Sequence, residues 1–283
     1  MNRLAVFLEG EKALTAELSS KGKILNLKTL PRTAVKQLDI LGKKNFFVGI
    51  LPASQVLIKT MEIKNMGQRL LKKTLLRQKE IITALPQEEA FSTARIIAEN
   101  AQSALFSFQI TKKKFLAQFL NEINPDMAVS TPQALFSFAR HYFPRSQDLA
   151  LIHFGLLETT CLHLKAGGLF TSYTINQGLE ALSSKEGQEI SSLTPDKKLL
   201  LEKLSTQLTN TLKAFPGQNR LTLLLTGNTQ LLKHLDLFLM NANKETISAL
   251  LQPEKEEEKR YAIAIGAALE ALKPHPVQFL DGP

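Results

Sequence analysis

The feature that most limits what this chain can fold into is a pattern that occurs twice. Leu4 to Glu9 and Ala13 to Leu18 are apolar runs of strand length, joined by the charged turn Glu9-Gly10-Glu11-Lys12 and followed, after Ser19-Ser20-Lys21-Gly22, by Ile24 to Leu27. Leu149 to Phe154, Thr160 to Lys165 and Leu169 to Ile175 repeat the arrangement, with Gly155 and Gly167-Gly168 at the turns. Helical segments follow each copy and can cover its apolar face. Two similar α/β domains in one chain satisfy that demand, and 283 residues are enough for two.

Between the copies, Phe46 to Leu51 reads as a buried strand and Gln55 to Ile63 as an alternating one. Gln68 to Ala84 predicts an amphipathic helix: Leu71, Leu75 and Ile82 lie near one face, Arg69, Lys72, Lys73, Arg77 and Lys79 surround it, and Pro86 ends the run. A strand pair, Phe91 to Ala98 and Ala104 to Ile110, leads into helices over Thr111 to Ile123 and from Thr131, read as the cap, to Phe143. Arg145 to Asp148 marks a domain boundary. In the second half Lys197 to Lys213 predicts a long helix, Leu221 to Thr226 a buried strand and Gly227 to Met240 a turn into a helix, while Arg260 to Leu272 is a small-residue terminal helix. Pro253 to Glu258 reads as a solvated acidic run.

Composition narrows the class. With 44% hydrophobic and 22% charged residues the chain has ordinary globular usage. A single cysteine, Cys161, closes no intramolecular disulfide and builds no cysteine-rich metal site, so a reducing compartment and a cytoplasmic location are expected. No run approaches the roughly 20 apolar residues of a membrane span, although whether an anchor follows Pro283 is left open. The net charge of +9 favours acidic partners or anionic surfaces. Nucleic acid is not expected, because the basic stretch lacks interleaved aromatics and the chain has no Trp and only three Tyr. His141, His153, His163, His234 and His275 are too scattered for a ligand cluster, so no metal is expected. Cys161, inside an apolar strand, reads as a structural thiol.

The two meanders, the strand-to-helix turn LTLLLTGNTQLL and the final RYAIAIGAALEAL together resemble the two-domain actin-like, Hsp70-like ATPase fold. Within it, LPASQVLIKTMEI with the basic helix and LALIHFGLLETTCLHLKAGGLFTSYTINQG are similar to the PilM family of type IV pilus proteins and the cytoplasmic region of the GspL family of type II secretion proteins. The resemblance implies an α/β fold with domain I over 1–145 carrying an inserted subdomain at about 50–110. Domain II would span 146–260, a helix over 261–273 would return to domain I, and 274–283 would form a tail.

In ATP-binding members each first hairpin carries an aspartate and a glycine turn, the amides cradling phosphate and the carboxylates holding the metal and attacking water. Here Gly10 and Gly155 keep the turns, but Leu8 precedes the first and His153 takes the aspartate place at the second. Glu9, one residue off, is expected on the opposite strand face. Imidazole does not replace a magnesium-binding carboxylate, so hydrolysis is not expected. Any residual nucleotide contacts fall to Gly10, Gly155, Thr159, Gly227 and Asn228. The resemblance then implies a degenerate, non-catalytic scaffold of a bacterial secretion or pilus platform at the cytoplasmic face of the inner membrane. It would link a motor ATPase to the cytoplasmic segment of a bitopic membrane protein, with Arg69, Lys72, Lys73, Arg77 and Lys79, extended by Lys59, Lys64 and Lys112 to Lys114, as partner or anionic-lipid interface. The alternative is an ATP-magnesium-binding or sugar-kinase-like enzyme using Glu9 or Glu158 as a displaced acid.

Overall fold

The computed structural model describes residues 1–35, 45–64, 86, 89–146, 148–165, 167–183, 185–215, 221–251, 253, 255–277 and 279. The predicted basic helix, with Arg69, Lys72, Lys73, Arg77 and Lys79, lies outside the described residues.

The first half opens with an antiparallel meander of β1 (Asn2–Glu9), β2 (Lys12–Leu18) and β3 (Ile24–Pro31). Next, β4 (Asn45–Leu51) pairs parallel to β1. The chain then leaves this sheet for an antiparallel excursion of β5 (Leu57–Lys64), β6 (Ala90–Glu99) and β7 (Ser103–Lys112), with β7 in the middle. Helix α1 (Lys113–Ile123) leads back to β8 (Met127–Ser130), which joins β4 in parallel, and α2 (Thr131–Tyr142) closes the half. Ser130, not Thr131, caps α2: its hydroxyl accepts from the Gln133 amide, while the Thr131 hydroxyl donates to the Leu51 carbonyl.

The second half follows the same course. Strands β9 (Asp148–Phe154), β10 (Thr159–Lys165) and β11 (Gly168–Ile175) form the meander. The two-residue strand β12 (Gln188–Glu189) precedes α3 (Pro195–Lys213) and β13 (Leu221–Gly227), which pairs parallel to β9. Another two-residue strand, β14 (Leu232–Lys233), interrupts the predicted 227–240 helix, so α4 spans only Leu235–Ala242 before β15 (Ile247–Leu251) joins β13. The strand orders β3-β2-β1-β4-β8 and β11-β10-β9-β13-β15 are the same topology built twice. The terminal helix comes in two pieces, α5 (Glu256–Arg260) and α6 (Ala262–Glu270).

Burial explains the strand sequences. On β9, Leu149 and Leu151 face a core shared with the first half, while Ala150, Ile152 and Phe154 face a second core beneath α3 and α4. Both faces are covered, so the strand reads as a continuous apolar run instead of alternating. Helix α6 packs along α2 and against β1 and β2. Gly266 makes this approach possible, since a Cβ there would lie 1.9 Å from the Ala134 carbonyl oxygen.

The acidic run is not simply solvated. Glu258 is buried against the Tyr142 hydroxyl. The tail residues Val277 and Phe279 are buried too, Phe279 through its amide to the Ala128 carbonyl and its ring 5.9 Å from that of Phe91. Glu270, fully buried, ties these parts together: it accepts from the Val277 amide at 2.9 Å, Gln133 Nε2 at 3.0 Å, Ser137 Oγ and Lys273 Nζ. Burial alone would raise its carboxyl pKa, but the Lys273 ammonium and these donors outweigh it and hold it below the ordinary value.

Candidate functional site: the cleft between the two glycine turns

Strands β1 and β9 end on matching turns of unequal length. After β1 only Gly10 and Glu11 separate Glu9 from Lys12, and Gly10 takes φ +60°, which a two-residue hairpin turn requires. After β9 four residues, Gly155 to Glu158, precede Thr159, with the Gly155 amide donating to the Glu158 carbonyl at 2.9 Å. The turns meet across the two halves. The Leu156 amide donates to Glu9 Oε1 at 2.6 Å, and the Asn228 side chain also reaches this carboxylate.

Glu9 was expected to face away, yet it is buried in the cleft. It is the last residue of β1, where strand alternation gives way to the turn. Burial pushes its carboxyl pKa up; the Leu156 amide, Asn228 and the Arg260 charge work against this shift, and the Glu158 charge adds to it.

The remaining predicted contacts are also engaged internally. Gly227, at φ +90°, brings the end of β13 against β9, where a Cβ would lie 2.3 Å from the Phe154 carbonyl oxygen. Asn228 donates to that same oxygen from its amide at 2.7 Å and its side chain at 3.3 Å. The Thr159 hydroxyl donates to the Gln177 carbonyl at 2.7 Å. His153 is buried against Thr226 Oγ1 at 3.1 Å, and burial lowers its pKa to about 3, so the ring is neutral. Glu158 accepts from the Ala53 amide at 3.2 Å.

Elsewhere, the thiol of Cys161 is buried, which pushes its pKa up to about 12. His163 pairs with Ala150 in the β9–β10 register, which puts it on the opposite sheet face from His153, where it stacks on Phe215 with ring centroids 4.9 Å apart. Among the described residues no group of three or more His, Cys, Asp or Glu could hold a metal ion. Lys59, Lys64, Lys112, Lys113 and Lys114 are all exposed. Lys64 lies at the opposite end of β5 from the Leu57–Ile110 pair beside Lys112, so these lysines spread over about 23 Å at the strand rise of ~3.3 Å per residue.

A cavity of about 380 Å³ opens beside the Glu9 contact. Its walls come from Leu8, Ile50, Phe115, Phe119, Leu157 and Ile263, and its charged groups are Glu9, Glu158, Glu122 and Arg32. Sequence reasoning missed Arg32, Phe115, Phe119 and Glu122, which are scattered along the chain and carry no motif.

No protein-family model matches the chain, and no curated protein sequence matches it. Solved structures do. The PilM–PilN type IV pilus biogenesis complex aligns over 97% of this chain and 99% of that one at TM-score 0.73 and 13% identity. The fold is actin-like. Two further proteins share it at lower similarity. The cytoplasmic domain of EpsL, an inner-membrane component of the Vibrio cholerae type II secretion system, aligns over 100% of this chain and 99% of that one at TM-score 0.58 and 13% identity. An activator of 2-hydroxyisocaproyl-CoA dehydratase from Clostridium difficile, solved with bound ADPNP, aligns over 96% and 94% at TM-score 0.52 and 10% identity. Within this fold the Glu9–Leu156 hydrogen bond joins the two glycine turns directly.

Proposed function

We propose that this chain is a non-catalytic, actin-like scaffold of a bacterial inner-membrane assembly platform of the type IV pilus or type II secretion kind. It would work at the cytoplasmic face, linking a motor ATPase to the cytoplasmic segment of a membrane-spanning partner. The overlap with PilM and EpsL along nearly the whole chain supports the setting. The loss of catalysis rests chiefly on Glu9, whose carboxylate accepts from the Leu156 amide in the second glycine turn.

A phosphate needs free amides and a metal-holding carboxylate in that place. The residues present do not fit ATP-magnesium. The Gly155 and Leu156 amides are already bonded, the latter to the Glu9 carboxyl, and His153 offers a neutral imidazole in place of an oxygen ligand. Gly227 and Asn228 serve the backbone of Phe154. The remaining work open to such a molecule is to hold partners, and the expected ones are the motor ATPase, the bitopic protein's segment and, through the basic residues, an anionic lipid surface.

Two assays test this. Purified protein should release no phosphate from ATP-magnesium above the blank, and it should capture the motor's N-terminal domain or the partner's cytoplasmic segment without nucleotide. Magnesium-dependent hydrolysis abolished by substituting Glu9 or Gly155 would refute the reading and favour the enzyme alternative.

A further inference from the structure

The floor of the cleft cavity is a row of side chains across the second sheet. His153 on β9 pairs with Thr160 on β10 and with Thr226 on β13, so the three stand side by side on one face. The imidazole commits Nδ1 to Thr226 Oγ1 at 3.1 Å, and burial keeps the ring neutral. Its other nitrogen, Nε2, has no hydrogen-bond partner among the described residues, and neither has the Thr160 hydroxyl. His153 is only 3% exposed and Thr160 only 1%, yet both line the cavity, and neither open atom is among those sealed from contact. Buried polar groups are normally satisfied, so two open ones on a cavity floor mark a place where a ligand completes the hydrogen bonding.

The charges around this floor select the sign of that ligand. Three carboxyl groups, Glu9, Glu122 and Glu158, and one guanidinium, Arg32, line the cavity. Arg32 is bonded to Glu122 at 2.6 Å and to the Gly10 carbonyl at 3.3 Å. Glu9 accepts from the Leu156 amide and feels the Arg260 charge. Glu158, half-buried, accepts from the Ala53 amide at 3.2 Å and has no cation beside it among the lining residues. Lys112 Nζ lies 5.7 Å from the centre of the Phe115 ring, but it lines the adjoining groove and not the cavity. An ammonium group has three N–H donors and no acceptor. That set matches an unpaired carboxylate, an open imidazole nitrogen and an open hydroxyl oxygen. Leu8, Ile50, Phe119 and Ile263 supply apolar wall for a stem, and about 380 Å³ is the small end of ligand sites.

We propose that the cleft cavity binds a small organic amine, its ammonium held by Glu158, His153 Nε2 and Thr160 Oγ1 and its short apolar or aromatic stem laid against Leu8, Phe119 and Ile263. In the complex the imidazole proton sits on Nδ1 and is donated to Thr226 Oγ1, so that Nε2 accepts. The proposal rests on the reading that the cleft takes no nucleotide.

Phenethylamine, the uncharged phenethyl alcohol and the anionic phenylacetate are the probes, titrated into the full chain by calorimetry and heteronuclear NMR. The amine should bind with a Kd of about 1 mM or tighter and at least about tenfold more tightly than the alcohol, the difference expected of a charge-assisted hydrogen bond. Its shifts should centre on Gly155, Leu157 and Thr160. Glu158→Gln should bring the amine down to the level of the alcohol, and Thr160→Val, folded by circular dichroism, should weaken it about threefold or more. The nitrogen shift of His153 Nε2 should remain that of an unprotonated ring nitrogen, and a protonated Nε2 would overturn the imidazole's part in the site. Alcohol or phenylacetate binding as tightly as the amine, a preference that survives Glu158→Gln, shifts centred elsewhere, or no amine binding up to about 20 mM overturns the proposal. A separate ATP-magnesium titration distinguishes the two failures: nucleotide binding sinks the non-catalytic reading, whereas loss of the amine preference sinks only this inference.

Discussion

The two halves share one strand order but end their leading strands differently. In the first half β1 stops at a two-residue turn and presents the Glu9 carboxylate; in the second, β9 stops at a four-residue turn and presents the Leu156 amide. By register Glu9 corresponds to Phe154, since each pairs with the first residue of the following strand. The duplicated frame thus sets a side-chain carboxyl of one turn against a backbone amide of the other. Topology is inherited by both halves, whereas chemistry lies in the few residues where they differ.

Substitutions at the glycines should separate the halves most strongly. Gly227→Ala meets the Phe154 carbonyl at 2.3 Å and a φ of +90°, so about 3 kcal/mol or more of unfolding free energy should be lost. Gly10→Ala has only Leu157 at 3.8 Å and a φ of +60°, and about 1 kcal/mol is expected from the left-handed backbone. Urea melts of both variants check the contrast, and equal losses would remove it.

A buried charge of α6, bonded to Gln133 and Ser137 of the first half, comes next. Because the Glu270 pKa is lowered in the folded state, its contribution is present above the ordinary carboxylate pKa of 4.5 and is lost as pH falls through the folded value. Glu270→Gln strands the Lys273 ammonium and should cost about 3 kcal/mol at pH 7, with a smaller loss at pH 3. A pH series of melts measures both.

His153 behaves in the same direction for a different cause, since burial alone lowers it from 6.5 to about 3. Its contribution is complete above pH 6.5 and erodes below, by about 2 kcal/mol at pH 5. His153→Gln should flatten that slope, and an unchanged slope would place the titration elsewhere.

Glu9 has the opposite sign and the smallest effect. Its raised pKa means that its contribution is present below 4.5 and is lost as pH rises through the folded value, so Glu9→Gln, which keeps an acceptor for Leu156, should be at least as stable as wild type at pH 7. A loss above about 1 kcal/mol in thermal melts would show that the charge itself holds the turns together.

The repeated meander was legible because a strand buried on both faces is written as an unbroken apolar run ending at glycine. Short elements were not: β8 has four residues and β15 five, too few for periodicity to register. The run 253–258 looked solvated because Glu258, which is buried, meets Tyr142, more than a hundred residues away in the sequence. At the site, the glycine turns could be read locally. The role of Glu9 could not, because its partner lies 147 residues away. The basic residues Arg69 to Lys79 were legible as a charge pattern and fall outside the described residues.

The central proposal, that the protein's own carboxyl engages the second glycine turn and that the cleft takes no nucleotide, is tested most directly by isothermal titration calorimetry with ATP-magnesium. At about 100 μM protein and at two temperatures, so that a vanishing enthalpy cannot hide binding, no heat beyond dilution is predicted. Low-micromolar binding would contradict the account and show that Glu9 yields its place to phosphate.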